Sequence, residues 1–147
     1  MEQKEFDVFV STFSEEIFKD GKFTYINHPN DATFVHGKVY RRQYLFDNKI
    51  FWNSDLTIHE DSYFNYLSRV CAASDKIINC PTVFYLWKYR ADSVCREDPK
   101  YILKTLTNMI DSTENLAEEL IRRGKIEKAS YICFNFIYNT YYDMNKD

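Results

Sequence analysis

Glycine and proline are scarce in this 147-residue chain, three of each, and no repeat or low-complexity segment interrupts it. The length suffices for one compact domain with its own core. Excess basic charge is also missing. A net charge of −3 and a pI near 5.6 argue against a nucleic-acid binder, because phosphate binding needs a basic face. Cys71, Cys80, Cys95 and Cys133 contain no Cys-x-x-Cys pair, which disfavours a zinc ribbon and leaves reduced thiols of a cytoplasmic protein as the reading. His28, His36 and His59 give no His-x-x-x-His spacing, so a metal hydrolase built on them has little support. No apolar run approaches the roughly 18 residues of a membrane span. The polar start Met1-Glu2-Gln3-Lys4-Glu5 is not a signal peptide. The expectation is a soluble, cytoplasmic chain without a transmembrane segment.

What is present in surplus is aromatic. Twelve Tyr, 12 Phe and 2 Trp make up 18% of the residues, while 45% apolar and 28% charged residues are those of an ordinary globular protein. The expectation is that most of these rings belong to a core. Tyrosine also joins ring area to a hydroxyl, which suits sugar stacking and interfaces alike.

Periodicity predicts a first strand over Asp7–Phe13, then a polar hairpin or long loop over Ser14–Asp31 with a short strand at Phe23–Ile26. Val39, Tyr40, Tyr44, Leu45 and Phe46 predict a helix behind the His36-Gly37 turn. Leu56–Ile58 reads as a strand that delivers Glu60 and Asp61. Tyr63, Phe64, Leu67, Val70, Cys71 and Ser74 mark one buried helix face. Strands follow at Lys76–Asn79 and Thr82–Tyr89, with Pro81 interrupting the ladder between them. Glu97, Asp98 and Pro99 open a long helix that ends at Gly124, and a second helix runs antiparallel from Ile126 to about Met144. The fold class is therefore α/β in the mixed α+β sense, a small mixed sheet flanked by helices and followed by a helical hairpin. The last helix carries rings on nearly every face, so a single neighbour cannot bury them all.

His59-Glu60-Asp61 is the most informative stretch for chemistry. A carboxylate pair where a strand gives way to a helix is a good seat for a general base, and an acidic neighbour raises the pKa of either carboxyl. Equally, Asp61 caps the helix, with Glu60 complementing its positive end. Lys38, Arg41 and Arg42 form the only basic cluster, which either meets a diphosphate or anionic acceptor or is a solvated helix start.

Three blocks in order carry a family likeness: His36-Gly37-Lys38-Val39-Tyr40-Arg41-Arg42-Gln43-Tyr44-Leu45, then the aliphatic segment ending in Glu60-Asp61, then Tyr85-Leu86-Trp87 continuing to Ser93-Val94-Cys95-Arg96. Together, over about Asp7–Arg96, they resemble the acceptor-side half of family 2 inverting glycosyltransferases of the GT-A fold. The resemblance implies residues 1–96 as the acceptor-side half of such a domain and 97–147 as a C-terminal helical hairpin, which in many members supports assembly or membrane contact. It implies inverting transfer of a sugar from a nucleotide-sugar to a hydroxyl of a carbohydrate acceptor.

In that reading Asp61 is the base and Glu60 orients Asp61 or the acceptor. His36, Gly37, Lys38 and His59 lie near the acceptor, His59 as polar support. Trp87 stacks on a sugar or base, unless it is simply a half-buried strand Trp. Arg90 and Arg96 close over the diphosphate, the alternative for Arg96 being an ion pair with Glu97 or Asp98. The complete family fold uses Mn or Mg held by an Asp-x-Asp motif, and this chain contains no such motif. The donor-binding half is thus missing from the sequence, and no metal ligand is expected in it. The chain alone should be weak or inactive as a transferase. From another class comes a non-catalytic binding or structural module that docks a protein partner, or a second copy, through its aromatic C-terminal helices.

Overall fold

The computed structural model describes residues 5–56, 58–90 and 99–144, with side chains described over 5–56, 58–90 and 106–139. The organising element is β1 (Val8–Lys19), rich in the β-branched and aromatic residues that fit a pleated surface. Its first half is buried on both faces, as a central strand must be. β2 (Lys22–His28) and β3 (Lys38–Tyr40) both lie antiparallel to it, β3 along Val8–Val10 and β2 along Phe13–Lys19. β4 (Ile77–Trp87) runs parallel on the other side. The sheet is therefore mixed, as the sequence suggests.

Val8 and Val10 point to one face of β1, where α2 (Glu60–Cys71) packs through Phe64 and Leu67. α1 (Arg42–Asp47) contributes Tyr44, whose hydroxyl donates to the Ser68 carbonyl at 2.6 Å. The long α3 (Pro99–Arg122) adds Leu116, Ala117 and Leu120 to the same core, and α4 (Ile126–Met144) adds Ala129. One contiguous core thus joins sheet and hairpin. Gly124, at φ +71°, supplies the left-handed residue after α3. The Lys125 N–H reaches back to Leu120 O at 2.8 Å in a Schellman-type stop. Arg123 then donates to the carbonyls of Asn48 and Lys49, tying the end of α3 to the end of α1.

Several local expectations need correction. Val39 and Tyr40, expected in the helix behind the His36-Gly37 turn, lie in β3, and the helix begins at Arg42. Of the two readings of Ser14–Asp31 the hairpin is the one that forms, and its first arm, Ser14–Lys19, continues β1 because cross-strand pairs hold it: Glu16 accepts from Tyr25 at 3.0 Å and Phe18 meets Phe23 at 4.9 Å. β4 is one strand that passes through Pro81. Cys80 pairs with Ser11 and Val83 with Thr12, so Pro81 and Thr82 are looped out of the ladder where a missing N–H does no harm. Finally, no strand delivers the carboxylates. Among the described residues of 50–59, none joins the sheet, and Ile58 and His59 form a bend into α2. Among the described residues, no helix is long and apolar enough to cross a membrane.

Candidate functional site

Glu60 and Asp61 occupy the first turn of α2. His59 takes the N-cap position in left-handed geometry, φ 64° and ψ 15°, and its side chain makes no cap hydrogen bond. Asp61 Oδ1 accepts the Ser62 N–H at 2.9 Å, so the carboxylate satisfies one of the free donors at the helix start. Burial pushes the Asp61 carboxyl above its ordinary range, the Ser62 N–H works against this, and the neighbouring Glu60 charge adds to it. The arrangement is a half-buried carboxyl whose pKa lies above the ordinary value.

Beside it stands a polar network that ties the first sequence block to α2. Asn65, fully buried, donates to Phe34 O at 3.0 Å and accepts from the Tyr40 hydroxyl at 3.0 Å. Burial drives the Tyr40 phenol far above its usual value, with Asp61 and Asp31 adding and Arg69 opposing. Lys38 has a side chain with 0% exposure. Its ammonium donates to Asp31 at 3.3 Å and to the Phe34 carbonyl. Burial lowers its pKa, and Asp31 pulls the other way. Arg69 clasps the same loop from α2 through Asp31 O at 2.9 Å and Asn30 Oδ1 at 2.9 Å.

Lys38 is thus a loop anchor with its charge already matched. The basic cluster read from sequence does not assemble. Arg41 binds Asp7 at 2.6 Å, and Arg42 lies over the Phe46 ring at 5.3 Å. Asn65 and Asp31 escaped the sequence reading. The available signal for Asn65 was a polar residue set beside Phe64 and Leu67 in an otherwise apolar helix face.

Gly37 permits a close approach, to β1. At φ +68° its missing Cβ would stand 2.6 Å from Ser11 Oγ, and its carbonyl accepts both the Ser11 N–H at 2.9 Å and the Ser11 hydroxyl at 2.7 Å. His36 is thereby laid on an aromatic shelf of Phe13, Phe34 and the third-block residues Tyr85 and Trp87. It stacks on Tyr85 at 4.8 Å and on Phe34 at 5.6 Å, and it meets Trp87 at 5.1 Å and the edge of Phe13 at 5.4 Å. Burial, then the Lys38 charge, holds the His36 pKa below its ordinary 6.5. Trp87 is half-buried at the end of β4 and rests on Phe34 at 5.2 Å. Arg90 is exposed just beyond it, and Arg96 lies outside the described residues.

The first and third blocks therefore meet through His36, Tyr85 and Trp87, while the first block reaches α2 through Tyr40 and Asn65, one helical turn beyond Asp61. His59 and Ser62, which bracket the carboxylates in sequence, also line a separate cleft of about 240 Å³ between α2, α3 and α4. Among the described residues no group of three or more His, Cys, Asp or Glu side chains could hold a metal ion. Comparison of the chain with protein-family models, with curated proteins and with solved structures finds no match.

Proposed function

We propose that this chain is the acceptor-binding, base-carrying portion of an inverting sugar transferase similar to family 2 of the GT-A fold, working with a donor-binding half that its own residues do not provide. Asp61 takes the proton of an acceptor hydroxyl as that oxygen attacks the anomeric carbon, and the nucleotide diphosphate leaves with the bonding electrons. Glu60 keeps Asp61 basic and oriented, and the His36, Tyr85 and Trp87 shelf offers ring faces to a sugar. No step is assigned to a metal.

The observation that supports this reading is the contact between the first and third blocks, far apart in sequence, beside the helix that carries Asp61. His36 lies 5.1 Å from Trp87, and Tyr40 is bound to Asn65 one helical turn from Asp61. The raised Asp61 pKa adds to it, since a base works best when its pKa approaches the working pH. A cytoplasmic setting belongs to this proposal, and Cys71, Cys80 and Cys133 are free thiols.

Saturation-transfer NMR against a panel of neutral mono- and oligosaccharides tests the acceptor role. Millimolar binding that Trp87→Ala removes is the expected result. Absence of carbohydrate binding across the panel, or binding indifferent to Trp87, would defeat it.

A docking module remains the second reading because one observation favours it. Tyr131, Phe134, Ile137 and Tyr138 on α4 are 63, 65, 66 and 55% exposed, a stripe of large apolar side chains on one helix. In the sugar-transfer reading the same stripe serves assembly with a second copy or with the partner half.

A further inference from the structure

We propose that the acceptor is a neutral glycoside with an apolar aglycone: its sugar lies on the His36, Tyr85 and Trp87 shelf with hydroxyls toward Glu15 and His28, and the aglycone fills a hollow farther along the same sheet face. The inference rests on the sugar-binding role proposed above for that shelf and extends it. Side chains alternate along β1, so Phe9, Ser11, Phe13 and Glu15 share the face opposite to that of Val8 and Val10. In the parallel ladder Tyr85 pairs with Phe13 and Trp87 with Glu15, while His28 of β2 pairs with Phe13 from the other side. Residues paired in register project to one face. The shelf, Glu15 and His28 therefore form one strip with Phe9, whose two ends lie about 20 Å apart along β1.

The two ends of the strip differ in chemistry. At the Phe9 end is a hollow of about 670 Å³, within the ~300–1,000 Å³ of small-molecule sites. Phe9, Val35, Val39 and Phe84 give it apolar walls, and His36 and Tyr85 belong to hollow and shelf alike. Val39 is 53% and Phe84 66% exposed, with the Phe84 ring 6.2 Å from Phe9. Ser11 and Lys38 also line the hollow, but both are already engaged. The Ser11 hydroxyl donates to Gly37 O at 2.7 Å, and the Lys38 ammonium donates to Asp31 and to the Phe34 carbonyl. A hydroxyl-rich segment would lose its water there without replacement, whereas an alkyl or aryl segment gains by burial. At the Glu15 end, His28 Nε2 and Glu15 Oε2 meet at 3.0 Å, their side chains 29 and 19% exposed, and the imidazole stacks on Phe13 at 4.5 Å. A carboxylate accepts from sugar hydroxyls, and the second imidazole nitrogen gives or takes a hydrogen bond according to tautomer. Apolar hollow, ring shelf and polar pair thus follow one another along one face, which matches the order of aglycone, sugar ring and hydroxyls in one amphiphilic molecule.

Chemical-shift titration of the whole chain with the methyl and hexyl β-glycosides of glucose, galactose and N-acetylglucosamine, beside hexan-1-ol alone, tests the proposal. For a sugar that binds, the hexyl glycoside is expected to bind about tenfold or more tightly than the methyl one, the gain from burying two or more methylenes. Hexan-1-ol should bind about tenfold or more weakly than the hexyl glycoside, because it leaves the shelf and the polar pair unused. Phe84→Ser and Val39→Thr should each cut the hexyl advantage about threefold or more and leave methyl-glycoside binding as in the parent. Glu15→Gln should weaken both glycosides about fivefold and leave hexan-1-ol unaffected. The inference is overturned if the hexyl chain adds nothing, if both hollow variants keep its full advantage, if hexan-1-ol binds as tightly as the hexyl glycoside, or if Glu15→Gln binds both glycosides like the parent. Methyl-glycoside binding that Trp87→Ala removes, with no gain from the hexyl chain, would overturn the inference and leave the sugar reading standing. Absence of glycoside binding, with or without binding of hexan-1-ol, would overturn both.

Discussion

Gly37 shows how narrowly a single residue can be determined. Two independent demands meet there, a φ of +68° and a Cβ position 2.6 Å from Ser11 Oγ. Gly37→Ala should cost about 1–3 kcal/mol from backbone strain alone, and more from the clash. Chemical denaturation of the single variant and of Ser11→Ala/Gly37→Ala separates the two. The double variant should recover the clash and retain the strain. A Gly37→Ala protein as stable as the parent would show that the loop has room to shift.

Asp61 offers a second test with a defined sign. Its folded-state pKa is raised, so as pH climbs past the ordinary carboxylate value of 3.8 the unfolded chain ionises first and stability is lost until the folded pKa is passed. Asp61→Asn should therefore melt at or above the parent temperature at pH 7. The difference should shrink toward zero below pH 3.8. A variant that is less stable at pH 7 would mean that the helix-start hydrogen bond to Ser62 outweighs the buried charge.

At the scale of elements, the two helices of the hairpin and the face of α2 are legible in the sequence because their 3.6-residue periodicity coincides with burial: Tyr63, Phe64 and Leu67 are all in the core. The strands are less legible, for two opposite reasons. Leu56 is buried as its alternation with Ile58 suggests, yet no ladder runs there, because alternation reports burial and not pairing. Ser14–Lys19 pairs fully with β2, yet its polar sequence suits a long loop as well as a hairpin arm and so leaves the two open. The site follows the same division. The motif residues are found by their order, whereas Asp31, Asn65 and Arg69 enter through long-range contacts that no local pattern encodes.

The exposed stripe on α4 carries the prediction proper to this scale. Phe134 and Tyr138 stack on one another at 6.1 Å, leaving both ring systems accessible from outside. Sedimentation of the parent should show self-association at micromolar concentration, and Tyr138→Glu should shift it toward monomer with unchanged helicity. A parent that stays strictly monomeric would remove assembly as the reason for the stripe.

At the scale of the whole molecule, the proposed function gives the acceptor and the base to this chain and the nucleotide-sugar to a separate donor-binding half. No three-ligand metal cluster exists among the described residues, and the sequence has no Asp-x-Asp. Calorimetry with common sugar nucleotides in the presence of manganese should therefore give dissociation constants of about 1 mM or weaker, equivalent to about −4 kcal/mol or less in magnitude. Micromolar, metal-dependent binding would contradict that division. The most direct measurement is turnover in a transferase reconstituted by joining this chain to a donor-binding half, comparing the parent with Asp61→Asn. The account predicts that turnover falls by about 10²–10⁴ while the acceptor KM stays near the parent value, because only proton abstraction is lost. Turnover equal to the parent would return Asp61 to the role of a helix-start carboxylate and contradict the central claim.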